Sequence, residues 1–281
     1  MKKIFLITLL FCAGIVSAFA QEEKNEASAS SELLPVKGDF GISVDATPFF
    51  KFIGNMFNGT INQGAPTFGN DFGIRGIYFL EDNRDIRASL HLNIGNKIFK
   101  QTVQDDYAVK VLQSNEGQSV IDVQKNSFTN VALGVGYGFH RGYGRLQASY
   151  GPQVGIFFES GKTSYTYANA IDAANQTPTT GFGGIGTNGR TLKIKDGNEF
   201  GFSVGAFVGV EFFVAPRLSI GGNVSLDLNL SNRWQGETTK ESWDAGQNQV
   251  VEKSTRSLNG HTGGINFGTT PKGDISVNFY F

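Results

Sequence analysis

Three histidines, His91, His140 and His261, are the first side chains to weigh for acid–base or metal chemistry. No HxxxH or HExxH spacing relates any two of them, so a helix-borne metal pair is not on offer. His261 shares a polar stretch with Asp244, Ser254 and Ser257, residue types that serve a protease or an acyltransferase, but their spacing carries no signature. Gly181-Phe182-Gly183-Gly184-Ile185-Gly186 matches GxGxxG letter by letter. A dinucleotide site needs a strand before that motif, a helix after it and an acid about twenty positions on. Here the neighbours are Thr, Asn and Gly, and the next regular segment is another strand, so a turn-rich loop accounts for it better. The residues point to no catalytic group, no cofactor and no metal, and hence to a protein that is not an enzyme.

Alternation is the stronger signal. From Arg217 to Leu230, one face of an extended chain carries Leu218, Ile220, Gly222, Val224, Leu226, Leu228 and Leu230. The other carries Ser219, Gly221, Asn223, Ser225, Asp227 and Asn229. Successive strand side chains point to opposite faces, so an unbroken aliphatic row faces lipid while its partner row faces a polar interior, as in a transmembrane β-barrel. Seven further segments alternate: Asp39–Ala46 and residues of about 68–80, 84–101, 127–139, 144–160, 198–213 and 273–281. Most reach the roughly 9–11 residues that a tilted strand needs to cross the hydrocarbon layer. The fold expected is all-β: an antiparallel up-and-down barrel of about eight strands. Ten remain open, with Val109–Leu112 or Arg190–Lys195 extending a hairpin.

Connection lengths agree without having been used to find the strands. Glu81–Arg84, His140–Tyr143 and Val214–Arg217 are short, with Asn, Gly or Pro in place. Between them lie long polar stretches at about 47–67, 102–126, 161–197 and 232–271, unusual in a compact soluble domain and normal on the outer side of such barrels.

The ends fit secretion. Lys2 and Lys3, an apolar run from Ile4 to Val16, and Ala18-Phe19-Ala20 make residues 1–20 a signal peptide. A lipoprotein signal at Cys12 is disfavoured by the bulky Phe11 before it. Cleavage removes the single cysteine, and with it any thiol or disulfide chemistry. Residues 21–37 form a polar, flexible leader, and 38–281 the barrel. Removing Lys2 and Lys3 leaves 22 basic against 25 acidic residues, a net charge of −3 that gives nucleic acid no purchase. Phe is used 25 times and Gly 37 times, as lipid-facing walls and interfacial girdles require.

The inward row collects charges of both signs. Asp45, Arg75, Arg87, His91, Arg145, Glu211 and Asp227 are expected to form one hydrogen-bonded ion network, because unpaired buried charge is expensive. An eight-stranded interior is just wide enough for side chains, so that network plugs the barrel; a narrow gated channel is the alternative. The first long connection holds Phe49, Ile53, Met56 and Phe57 on one side of a short helix. That patch folds over the mouth or rests at the lipid interface, or else docks a partner protein of the envelope or an apolar ligand.

With these segments in place, the chain resembles the small eight-stranded outer-membrane barrels of the OmpA/OmpX type. The resemblance spans residues 38–281 and rests on the strand pattern and on the terminal Ile275, Val277, Phe279, Tyr280 and Phe281, which are similar to the signal read by the barrel-assembly machinery. It implies a Gram-negative outer-membrane location in contact with lipid, both termini in the periplasm, short periplasmic turns and long extracellular loops, and no peptidoglycan-binding domain. The role expected is structural or surface-binding through the loops, as one subunit of an envelope complex. A narrow porin-like channel is the alternative, followed by a lipid-modifying enzyme or protease.

Overall fold

A computed structural model describes residues 33–46, 73–110, 117–183, 189–257, 262–268 and 274–281. Eight strands close into a ring: β1 (Phe40–Asp45), β2 (Gly73–Glu81), β3 (Arg84–Gln104), β4 (Ser119–Tyr143), β5 (Leu146–Thr166), β7 (Glu199–Ala215), β8 (Leu218–Arg233) and β12 (Asp274–Tyr280). All neighbours run antiparallel, and β12 pairs with β1 to seal the cylinder. This closure pairs β1 on both sides at the turn end, as hydrocarbon demands of a sheet.

Four more strands decorate one end. β6 (Arg190–Lys195) pairs with the far part of β5 and with β9 (Glu237–Asp244), which pairs in turn with β10 (Gln249–Arg256). β11 (Thr262–Gly268) takes the edge of β8 at Asp227–Arg233, and β12 takes the same edge lower down, at Leu218–Asn223. Arg190–Lys195 is thus a strand, but it extends the side sheet and leaves the ring at eight. The long stretches read as loops are shortened by pairing that continues past the apolar segments. β4 begins at Ser119 and β5 runs to Thr166, with Ser, Thr, Lys and Asn in the excess. Polar residues give no lipid-facing alternation, yet backbone pairing continues through them.

Two of the tight turns fall where expected. Asp82-Asn83 joins β2 to β3, and Pro216-Arg217 joins β7 to β8 with Arg217 at a φ of 61°. The middle turn is displaced from the expected His140–Tyr143. His140, Arg141, Gly142 and Tyr143 stay paired with Ser149, Ala148, Gln147 and Leu146, and the chain reverses at Gly144-Arg145. The cause is Gly144, whose φ of 57° suits a two-residue reversal and costs glycine little.

The burial pattern is inverted relative to a soluble protein. Outward rows are apolar and exposed, among them Ile86, Leu90, Leu92 and Ile94 of β3 and Ile220, Val224, Leu226 and Leu230 of β8. An apolar surface this continuous needs lipid. Phe40, Tyr78, Tyr150, Phe212 and Phe279 form an exposed aromatic collar near the turn end, where rings suit the headgroup level. Phe139 continues it, 5.1 Å from Tyr137 and 5.6 Å from Tyr150 between ring centroids.

Candidate functional site: a closed floor beneath a polar cup

Inward positions follow strand parity, and the interior divides into two storeys. At the turn end, Ile77, Phe79, Phe213 and Tyr280 form a small apolar cluster with Leu34 packed against it. Leu34 and the fully buried Pro35 belong to residues 33–39, which run beneath the barrel. The Arg217 and Gly38 amides donate to the Leu33 and Phe79 carbonyls, and the Lys37 amide donates to the Asp82 carboxylate.

A polar cluster lies on this apolar base. Asp85 is fully buried; its carboxylate accepts from Arg87 Nε at 2.9 and 3.0 Å, lies 2.9 Å from Arg87 Nη2, and lies 2.5 Å from His140 Nε2. The Arg87 guanidinium also covers the Phe207 ring at 4.3 Å, a cation–π contact. Glu211 accepts from the Tyr280 hydroxyl at 2.7 Å and from Ser219 Oγ at 2.9 Å, and Asn278 Nδ2 donates to Ser219 Oγ. Gly138 of β4 makes room for the Asp85 carboxylate: a Cβ there would clash with Asp85 Oδ1. Among the described residues, His140 Nδ1, Gln147 Oε1, Ser149 Oγ and Ser276 Oγ are buried with no hydrogen-bond partner.

Above the floor the inward side chains turn small. Ala132, Gly134 and Gly136 on β4 and Gly155 on β5 leave a cavity of about 660 Å³. Polar residues line it: Arg75, Arg87, Ser89 and His91 on the β2–β3 wall, Gln153 and Glu159 on β5, and Asn223, Asp227 and Asn229 on β8. Gln153 Nε2 and Ser225 Oγ donate to the Asp227 carboxylate at 2.7 and 3.1 Å.

The expected ion network is therefore distributed over separate places. Glu211 lies in the floor, Arg87 belongs to the floor cluster and also lines the cup, and Arg75, His91 and Asp227 line the cup. Asp45 ends β1, paired with Ser276 across β12. Arg145 is not inside the barrel. It is exposed in the β4–β5 turn and donates to the Val214 carbonyl, because the reversal at Gly144 takes it out of the strand. Asp85, His140 and Tyr280 complete the floor. Asp85 shares parity with Arg87 and His91, so its sequence position already pointed inward. Tyr280 is 3% exposed and inward, while Ile275, Phe279 and Phe281 of the same terminal row are exposed and Val277 is half-buried.

The loop end is also ordered by buried carboxylates. Asp106, in the short helix α1 (Asp106–Lys110), accepts from Asn175 Nδ2, from the Thr179 amide and from the Thr179 hydroxyl. Burial pushes its pKa up, but these donors and the Lys110 ammonium outweigh burial and hold it below the ordinary value. Asp122 accepts from the Ala168 and Gly181 amides, so the start of the GxGxxG match is a tether point. Arg190 reaches Glu241 and the Asn169 carbonyl and covers the Tyr167 ring; burial raises the Tyr167 hydroxyl pKa to about 12. Asp244 caps the β9–β10 turn through the Gly246 and Gln247 amides, and Ser254 Oγ bonds Thr239 Oγ1. Phe49, Ile53, Met56, Phe57 and His261 lie outside the described residues.

Comparison with known proteins adds the following. The model of a family described as "Putative OmpA-OmpF-like porin family" matches residues 62–227. Among solved structures, the chain is similar to a major outer membrane protein from Thermus thermophilus, at 13% identity and a TM-score of 0.35, over 87% of this chain and 99% of that one. No curated protein matches.

Proposed function

The chain belongs to the OmpA-OmpF-like porin family; we propose that this outer-membrane β-barrel is closed to solutes at its turn end and works by binding at its loop end, without enzymatic activity. The observation that carries this proposal is the floor. Phe79, Phe213, Ile77 and Tyr280, the Asp85–Arg87–His140 cluster above them and Leu34 below fill the turn end of the cylinder. The buried ties of Asp106, Asp122 and Arg190 give the loop end a fixed shape, which a binding surface uses to limit the entropy lost on association. On this proposal the turns and both termini face the periplasm, lipid covers the apolar coat, and the assembly machinery reads Ile275, Val277, Phe279, Tyr280 and Phe281. An envelope protein docks on the loops, and Phe49, Ile53, Met56 and Phe57 form one patch for it.

A second proposal, a narrow gated passage, draws on the porin description of the family and on the polar atoms of the floor that lack partners among the described residues. Efflux of a small salt from proteoliposomes separates the two. The closed barrel retains its load as empty vesicles do. Release at a rate proportional to protein content would favour the passage.

A further inference from the structure

Asp227 is half-buried on the inner wall, and among the described residues only neutral donors, Gln153 and Ser225, reach its carboxylate. A carboxylate partly withdrawn from water favours a cation brought beside it. Arg87 also lines the cavity, but its guanidinium is engaged by Asp85 and covers the Phe207 ring. In the ring order, β8 stands opposite β3, so Asp227 and Asn229 face the wall that carries His91, with Arg75 on the adjacent β2. The cavity between these walls has a volume of about 660 Å³, within the range of small-molecule sites. His91, Asn229 and Ser203 line it and make no side-chain hydrogen bond among the described residues, so their donors and acceptors stay available to a solute.

We infer that the cup binds a small zwitterion of the amino-acid or dipeptide class, its ammonium held by Asp227 and its carboxylate directed to the Arg75 and His91 wall. The two ends of such a solute match the two walls. A dianion would meet Asp227, and a neutral polyol would leave that carboxylate without a counter-ion. The inference shares only the closed floor with the proposed function, since a blind cup can hold a solute that an open pore would pass.

The test is saturation-transfer NMR on the refolded full chain in detergent micelles, with glycylglycine as the probe. Acetyl-glycylglycine lacks the ammonium, glycylglycinamide lacks the carboxylate, and maltose serves as a neutral polyol of comparable bulk. Glycylglycine is expected to bind with millimolar affinity, and each blocked derivative at least about tenfold more weakly. Asp227→Asn is expected to lose the preference for the free ammonium while preserving folding, read from the electrophoretic shift between heated and unheated samples. Ser203→Leu, which fills the cavity, is expected to abolish the signal. Equal binding of the acetylated derivative, stronger binding of maltose, an unchanged signal in Asp227→Asn or Ser203→Leu, or no signal with glycylglycine would each overturn the inference. Because micelles have no two sides to conduct between, a failure here leaves the efflux result standing, and conduction leaves this result standing.

Discussion

Asp85→Asn is the most informative single change. The residue is fully buried, with Arg87 Nη2 2.9 Å away and His140 Nε2 2.5 Å away. Two unit charges at 2.9 Å attract by about 6 kcal/mol at an effective dielectric near 20. Much of this offsets the cost of desolvating both groups, so the pair itself adds little net stability. Removing one partner is different, because Arg87 then stays 4% exposed with no counter-ion, at a cost of roughly 3–5 kcal/mol. Arg87→Gln leaves Asp85 uncompensated and costs a similar amount. The double variant Asp85→Asn/Arg87→Gln has neither orphan charge and should lose well under the sum, with a coupling energy above about 2 kcal/mol. Reversible urea unfolding in small lipid vesicles, followed by tryptophan fluorescence, reads all three variants against the parent. Single-variant losses below about 1 kcal/mol with additive behaviour in the double variant would refute the claim that the floor is held by a buried ion pair.

Other outcomes follow from the same contacts. Gly138→Ala places a methyl against Asp85 Oδ1 and should destabilise by about 1–3 kcal/mol in the same unfolding assay. Tyr280→Phe removes a donor to buried Glu211 and should cost about 1–3 kcal/mol with no change in the outward terminal row. The depressed pKa of Asp106 means that its ties stabilise the loop fully above the unfolded value of 3.8, a contribution lost as pH falls through the lower folded value. The protection factor of the Thr179 amide, its exchange corrected for the intrinsic rate at each pH, should accordingly stay high down to about pH 4 and fall below it. Asp106→Asn should make that exchange fast at neutral pH, and slow exchange in this variant would remove Asp106 from the tether.

The barrel was legible because lipid and a polar interior impose opposite demands on alternate residues. The row from Leu218 to Leu230 satisfies both without a break, and it maps onto β8. Above the membrane, Arg190–Lys195 was legible as a candidate strand, but β9 and β10 were not, since residues such as Thr238 and Glu252 put polar side chains on both faces and alternate with nothing. Within the site, parity placed Arg87, Glu211 and Asp227 inward, but parity carries no height. It therefore merged floor and cup into one network. His140 was read into a turn because its neighbours Arg141 and Gly142 look like turn residues. The backbone reverses further along, where Gly144 supplies the positive φ. Asp85 lay beside a turn and Tyr280 within an assembly signal, and each of those roles hid an inward side chain.

The floor is tested most directly by single-channel recording across a planar bilayer, comparing the refolded parent with Asp85→Asn. Side chains from Leu34 to Arg87 fill the turn end, so the parent should give a flat current. The variant should give brief discrete openings as the buried Arg87 guanidinium, left without its counter-ion, draws water into the floor. Stable openings in the parent would show that ions pass where the structure is filled, and the closed barrel would have to be given up.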